Sequence, residues 1–123
     1  MHKFEKKIAQ IFGNRFLQHG PVPEASMWYS KKRQFIRFEI MFEQIKLLTQ
    51  KTTISISDIG CGYGAFLNFL SEKNLNEEWF YNGYDVSDEV IKFCRQEYLN
   101  RASFHLRSVP ARKTDFIIMS GTY

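Results

Sequence analysis

The sequence predicts an α/β fold built on a parallel sheet. Three observations carry that expectation. Beyond residue 50, short β-branched or apolar runs alternate with helical patterns, as right-handed βαβ crossovers require. The first run leads straight into Gly60-Cys61-Gly62-Tyr63-Gly64, and a helical pattern follows at once. The next run ends on an acid, Asp85, twenty-seven residues after Asp58.

Each element has its own signal. Phe4, Ile8, Ile11 and Phe12 fall at i, i+4, i+7 and i+8, one face of a short helix that Gly13-Asn14 ends. Gly20-Pro21-Val22-Pro23 reads as a connector, since each proline removes a donor and restricts its predecessor. Ser30 stands as the cap of a second helix running to about Leu48. Phe35, Phe38, Phe42 and Ile45 form its stripe, widened by Ile36, Ile40 and Leu47. Residues 1–26 are thus expected as an N-terminal helix and connector, and 27–123 as the main domain.

The period then changes. Thr53-Ile54-Ser55-Ile56-Ser57-Asp58 is a β-branched strand. Ala65 to Glu72, with Phe66, Leu67, Phe69 and Leu70, is a helix. Trp79 to Asp85 is a second strand, and Asp88 to Tyr98, with Val90, Ile91 and Cys94, a second crossover helix. Ser103-Phe104-His105-Leu106 is a third strand. Asp115-Phe116-Ile117-Ile118-Met119-Ser120 is an apolar fourth, of the kind buried on both faces.

Composition excludes several classes. At 123 residues, 44% hydrophobic and 24% charged, the chain buries a core and is not disordered as a whole. No apolar run is long enough for a transmembrane helix, and no membrane partner is expected. Met1 to Lys7 alternates charge with apolar residues and lacks the core of a secretory signal. Cys61 and Cys94 form no CxxC, and three histidines are scattered, so no metal spacing exists. His19 and His105 read as structural or exposed. A reducing cytoplasm is the simplest compartment. Of the +4 net charge, residues 1–40 hold eight basic and three acidic residues, or +5. That surface suits RNA or an anionic substrate, or simply a solvated helix face, and it falls short of a nucleic-acid binder's footprint.

The glycine turn points to a nucleotide-type ligand. Glycines permit positive φ and let backbone approach a ligand. An acid at the end of the second strand can accept hydrogen bonds from a ribose diol. Gly60-x-Gly62-x-x-Ala65 formally fits the dinucleotide fingerprint, so an NAD(P)-binding oxidoreductase fragment is one reading. Asp58 favours S-adenosylmethionine (SAM) instead. A carboxylate beside the first glycine repels a pyrophosphate and welcomes a sulfonium and an amino group. Gly64 likewise shortens the loop for a smaller ligand.

Ser57-Asp58-Ile59-Gly60-Cys61-Gly62-Tyr63-Gly64 resembles the first motif of class I SAM-dependent methyltransferases. Gly83-Tyr84-Asp85-Val86-Ser87 resembles their second, and Asp115 to Tyr123 their fourth strand with the start of the next motif. Trp28-Tyr29-Ser30, Gln34 and Arg37-Phe38 resemble a pre-motif helix of a bacterial branch that closes over the cofactor. The resemblance covers roughly residues 25–123. It implies a Rossmann-like parallel sheet of order 3-2-1-4 with N-terminal helices, truncated relative to the family's seven strands.

It also implies site roles. Asp58, Gly60 and Gly62 would line the methionine moiety, with Cys61 contributing backbone and Gly64 closing the turn. Asp85 would bind ribose and Val86 pack on adenine. The family often has an acid near adenine after the third strand; here stands Leu106-Arg107-Ser108-Val109, leaving Ser108 to hydrogen-bond the base. Ser120 and Gly121 would approach the methyl-transfer face, and Trp28 and Ser30 would form a cover. The implied function is methyl transfer from SAM to an unidentified, small-molecule acceptor. An inactive SAM-binding or interaction module is the alternative, and an RNA acceptor lacks a dedicated binding appendage in the sequence. With the fourth strand at an edge, self-association as a homodimer through residues 115–123, or cover by the N-terminal helix, is expected.

Overall fold

The computed structural model describes residues 25–73 and 75–121. The helix expected at Phe4, Ile8, Ile11 and Phe12 and the connector after it lie outside the described residues. The chain divides into two compact units, one ending at Thr49 and the other beginning at Gln50.

In the first unit, helix α1 spans Ala25–Leu48. It begins earlier than the cap expected at Ser30. Proline is tolerated just ahead of a helix, so Pro23 leaves the chain able to start its first turn at Ala25. Of the expected stripe, Phe38 and Ile45 are buried, whereas Phe35, Ile36, Ile40 and Leu47 are exposed. No helix among the described residues is long and apolar enough to cross a membrane.

The second unit runs β1 (Thr53–Ile59), α2 (Ala65–Ser71), β2 (Glu78–Asp85), α3 (Asp88–Glu97), β3 (Ser103–Leu106) and β4 (Phe116–Ile118). The sheet has the order β3-β2-β1-β4, and every pairing is parallel. This is the α/β, Rossmann-like arrangement the sequence predicts. Helix α3 is capped by Ser87, whose Oγ accepts from Val90 N, and Asp88 and Glu89 face its positive end.

Right-handed crossovers from β1 to β2 and from β2 to β3 step the same way, so α2 and α3 cover one face. Registered partners share a face, which places Ile56, Asp58, Tyr81, Phe104 and Ile118 on that side. All five are buried. The opposite face carries a polar ladder. Ser103 Oγ donates to Asn82 Oδ1 at 2.6 Å, and Ser57 Oγ and Thr114 Oγ1 lie 2.8 Å apart. Tyr84 is fully buried there, stacked on His105 at 5.0 Å, and its hydroxyl accepts from Ala111 N. The segment between β3 and β4 is thereby tied across this face.

Strand β4 departs from the expectation of a strand buried on both sides. Ile118 faces the core, but Ile117 is 63% exposed on the face that α2 and α3 do not cover. The strand is also shorter than the apolar run. Asp115 is diverted to accept from Ser55 N at 2.9 Å and Lys51 Nζ at 2.6 Å. Ser120 is diverted at the other end, onto Asp58.

Candidate functional site

The glycine turn leaves β1 with three left-handed residues, Gly60, Gly62 and Gly64, at φ of 72°, 58° and 78°. Strand β2 holds it from beside. Gly60 N and Cys61 N both donate to Tyr84 O, at 2.7 and 2.9 Å. Gly62 N donates to Asp85 Oδ2 at 3.0 Å, while Asp85 Oδ1 accepts from Ser87 N at 3.0 Å. Gly64 N donates to Cys61 O. One carboxylate therefore sets both the glycine turn and the start of α3.

Two of these glycines do different work. A Cβ on Gly62 would meet nothing within 4 Å, so its outer side is open space. A Cβ on Gly64 would lie 2.6 Å from the Tyr98 ring. Gly62 leaves room for a ligand, and Gly64 leaves room for an aromatic ring beneath α2.

Asp58 lies under the turn, 0% exposed. Its Oδ2 accepts from Tyr81 Oη at 2.6 Å and from Ser120 Oγ, and its Oδ1 accepts from Ser120 N at 2.9 Å. Burial pushes its ionisation up to about 6, against the pull of the Ser120 and Tyr81 hydrogen bonds, with Asp85 adding repulsion. Burial foremost, and then the Asp58 charge, hold the Tyr81 phenol well above its usual range. The structure thus gives Asp58 a supporting task, with no surface turned to a ligand.

The remaining expected residues divide by exposure. Cys61 and Cys94 are free thiols buried against each other, with their Sγ atoms 3.5 and 3.3 Å from Gly62 O. The thiol–thiol hydrogen bond, with burial behind it, raises Cys61 well above the normal range, which makes it no nucleophile. Val86 is 49% exposed just past Asp85, and Ser108 is exposed beyond β3. Asp85 pairs in register with Leu106, itself half exposed, so Val86 and the residues after Leu106 leave neighbouring strand ends. Ser120 is buried on Asp58. Gly121 follows it against the turn, where a Cβ would collide with Gly60 O. Trp28 and Ser30 lie within α1, and their side chains are outside the described residues.

Sequence reasoning missed three phenols. Tyr81 holds Asp58, Tyr84 supplies the carbonyl that anchors the turn, and Tyr98 fills the space beside Gly64. Tyr84 had a signal, since it sits next to Asp85. Tyr81 had only its alternate-face spacing along a parallel strand. Among the described residues, no group of histidine, cysteine and acids could hold a metal.

Known proteins resemble this arrangement. No family model matches the sequence. A protein of Mycobacterium tuberculosis named "Putative methyltransferase Rv1506c" is 30% identical over 81 residues, which is 64% of this chain and 48% of that protein. The plantazolicin methyltransferase BpumL, solved with a pentazolic desmethylPZN analog and SAH, aligns with a TM-score of 0.58 at 26% identity. The alignment covers 89% of this chain and 40% of BpumL. BpumL in complex with SAH alone gives 0.55 at 29% identity, over 77% of this chain and 39% of its own. The chain thus spans about half the length of the curated relative and about two fifths of the solved one.

Proposed function

We infer that this chain, which carries the cofactor-binding part of a class I SAM-dependent methyltransferase fold, binds SAM on its glycine turn and transfers the methyl group to a small-molecule acceptor. One observation carries the reading: the open side of Gly62 lies beside a buried-edge carboxylate, Asp85, at the end of the neighbouring strand. Each Asp85 oxygen accepts one backbone N–H and keeps a lone pair for a ribose hydroxyl. Val86 and the half-exposed Leu106 and Val109 offer apolar flanks for adenine, and Ser108 a polar contact. Gly60, Cys61 and Gly62 supply the floor for the methionine end, with Ser120 and Gly121 at its side. Bound SAM supplies a methyl group activated by its sulfonium charge. What the chain contributes is placement, which can account for much of such a reaction's barrier.

The same geometry disfavours a dinucleotide. A pyrophosphate needs free N–H groups at the turn. Those of Gly60, Cys61, Gly62 and Gly64 are all taken by protein acceptors, and Asp85 and Asp58 stand beneath. Binding without transfer is the second reading, favoured by the burial of Asp58 and Cys61, which leaves neither side chain exposed at the turn. A cytoplasmic setting, which keeps Cys61 and Cys94 as thiols, belongs to the same proposal. Calorimetric titration of the full chain with S-adenosylhomocysteine (SAH) and with NAD tests it. SAH should bind and NAD should not; tighter binding of NAD overturns the reading. Transfer of a labelled methyl group to a candidate acceptor separates catalysis from binding alone.

A further inference from the structure

The glycine turn is held from three directions, and only two of them come from groups already given a role. Strand β2 holds it through Tyr84 O and Asp85. The third support is the loop after β4, where Gly121 lies so close to Gly60 O that no Cβ fits between them. What places that loop is Ser120. Its N–H and its hydroxyl both end on Asp58, and Asp58 in turn is held by the Tyr81 hydroxyl. Tyr81 arises from the middle of β2, registered with Ile56, and reaches toward the carboxyl end of β1 along the covered face. The ring is buried, tilted against Phe104 at 5.8 Å.

We propose that Tyr81 is a positioning residue of the cofactor site: through Asp58 it fixes Ser120, and with it the loop that braces Gly60 and Cys61 for the ligand. The inference rests on the reading of the glycine turn as the SAM site. Tyr81 itself touches no ligand. It acts by keeping an ionised carboxylate in a place where burial alone would favour its neutral form. The charged form accepts the two Ser120 hydrogen bonds; a protonated carboxyl carries a hydrogen of its own and gives up acceptor capacity. The groups that face Asp58 are Tyr81 and Asp85 from β2, Cys61 from the turn and Ser120 from the loop after β4, while Cys94 of α3 lies against Tyr81 and Cys61. Loss of the Tyr81 hydroxyl leaves the Asp85 and Cys61 surroundings in place and removes a donor, so Asp58 should take up its proton at higher pH.

The test uses the full chain and Tyr81→Phe, a variant that keeps the ring. SAH affinity is measured by calorimetry from pH 5 to 8. Wild-type affinity should fall on acidification, and in Tyr81→Phe the midpoint of that fall should move upward. Above the midpoint the variant should bind about three- to tenfold more weakly, a fraction of what a hydrogen bond to a charged group contributes. A merely structural tyrosine would lower the melting temperature without moving the midpoint, and that result overturns the proposal. The amide resonances of Ser120 and Gly121, followed against pH without ligand, report the same midpoint independently. If SAH fails to bind at any pH, the cofactor reading fails, while the amide titration still decides whether Tyr81 sets the state of Asp58. If Tyr81→Phe does not fold, Ser120→Ala takes its place, with the same upward shift of the SAH midpoint expected and an unmoved midpoint overturning the proposal.

Discussion

Gly62 and Gly64 differ in what a methyl group would meet, and the difference separates binding from folding. Gly62→Ala places its Cβ in open space, so its cost to stability is the left-handed backbone alone, about 1–2 kcal/mol. It should fold and yet bind SAH at least about tenfold more weakly, because the added group occupies ligand space. Gly64→Ala drives a Cβ into the Tyr98 ring and should lower the melting temperature far more. Scanning calorimetry with SAH titration checks both; equal melting losses would refute the distinction. Asp85→Ala should weaken SAH binding by about 1.5–3 kcal/mol, the scale of hydrogen bonds to a charged group. Asp58 gives a stability prediction of unusual sign for a carboxylate. Folded, it ionises at about 6, against an ordinary value of 3.8. Between those values the native state holds a proton that the unfolded chain has released, so its contribution to stability falls as pH rises, by up to about 3 kcal/mol. Urea unfolding of wild type against Asp58→Asn across pH 4 to 7 should show that decline in the difference; a flat difference would refute it. At this scale the sequence marked Asp58 as important and left its task illegible. The partners Tyr81, on β2, and Ser120, in the loop after β4, are distant in sequence, and no local spacing connects them.

The elements of the second unit were largely legible because each has a local cause. β-branched residues alternate in β1, glycines break the chain after it, and Ser87 followed by Asp88 and Glu89 announces α3. Ser87→Ala should therefore cost about 1 kcal/mol, read as a lower urea midpoint with unchanged slope. The two misjudged ends have non-local causes. Strand β4 was read too long because Asp115 and Ser120 look like strand residues, yet their hydrogen bonds go to β1. Its burial on both faces was inferred from an apolar run, which cannot report that α2 and α3 cover one side only. The start of α1 was set by a capping residue, Ser30, that the helix simply passes through.

The sheet order β3-β2-β1-β4 was legible only through the resemblance to class I SAM-dependent methyltransferases, which implies it, because no local pattern in the sequence ranks the strands. Self-association through residues 115–123, expected from the sequence, has a definite surface to test. With Ile117 exposed on β4 and Met119 exposed just after it, the full chain is expected to self-associate through that segment. Ile117→Lys should abolish the association in sedimentation velocity without altering far-UV circular dichroism; monomers in both proteins would refute it. The anchoring of Gly60 and Cys61 on one carbonyl, Tyr84 O, has a consequence for time as well as shape. Loops that receive ligands are often ordered by them. Here the amides of Gly60, Cys61 and Gly62 are sequestered beforehand, so they should exchange with deuterium slowly even in the ligand-free protein. Little ordering entropy is then left to be lost on binding. Ligand capture at this turn should accordingly proceed at a rate set by diffusion into the site, with no slow rearrangement of the loop ahead of it.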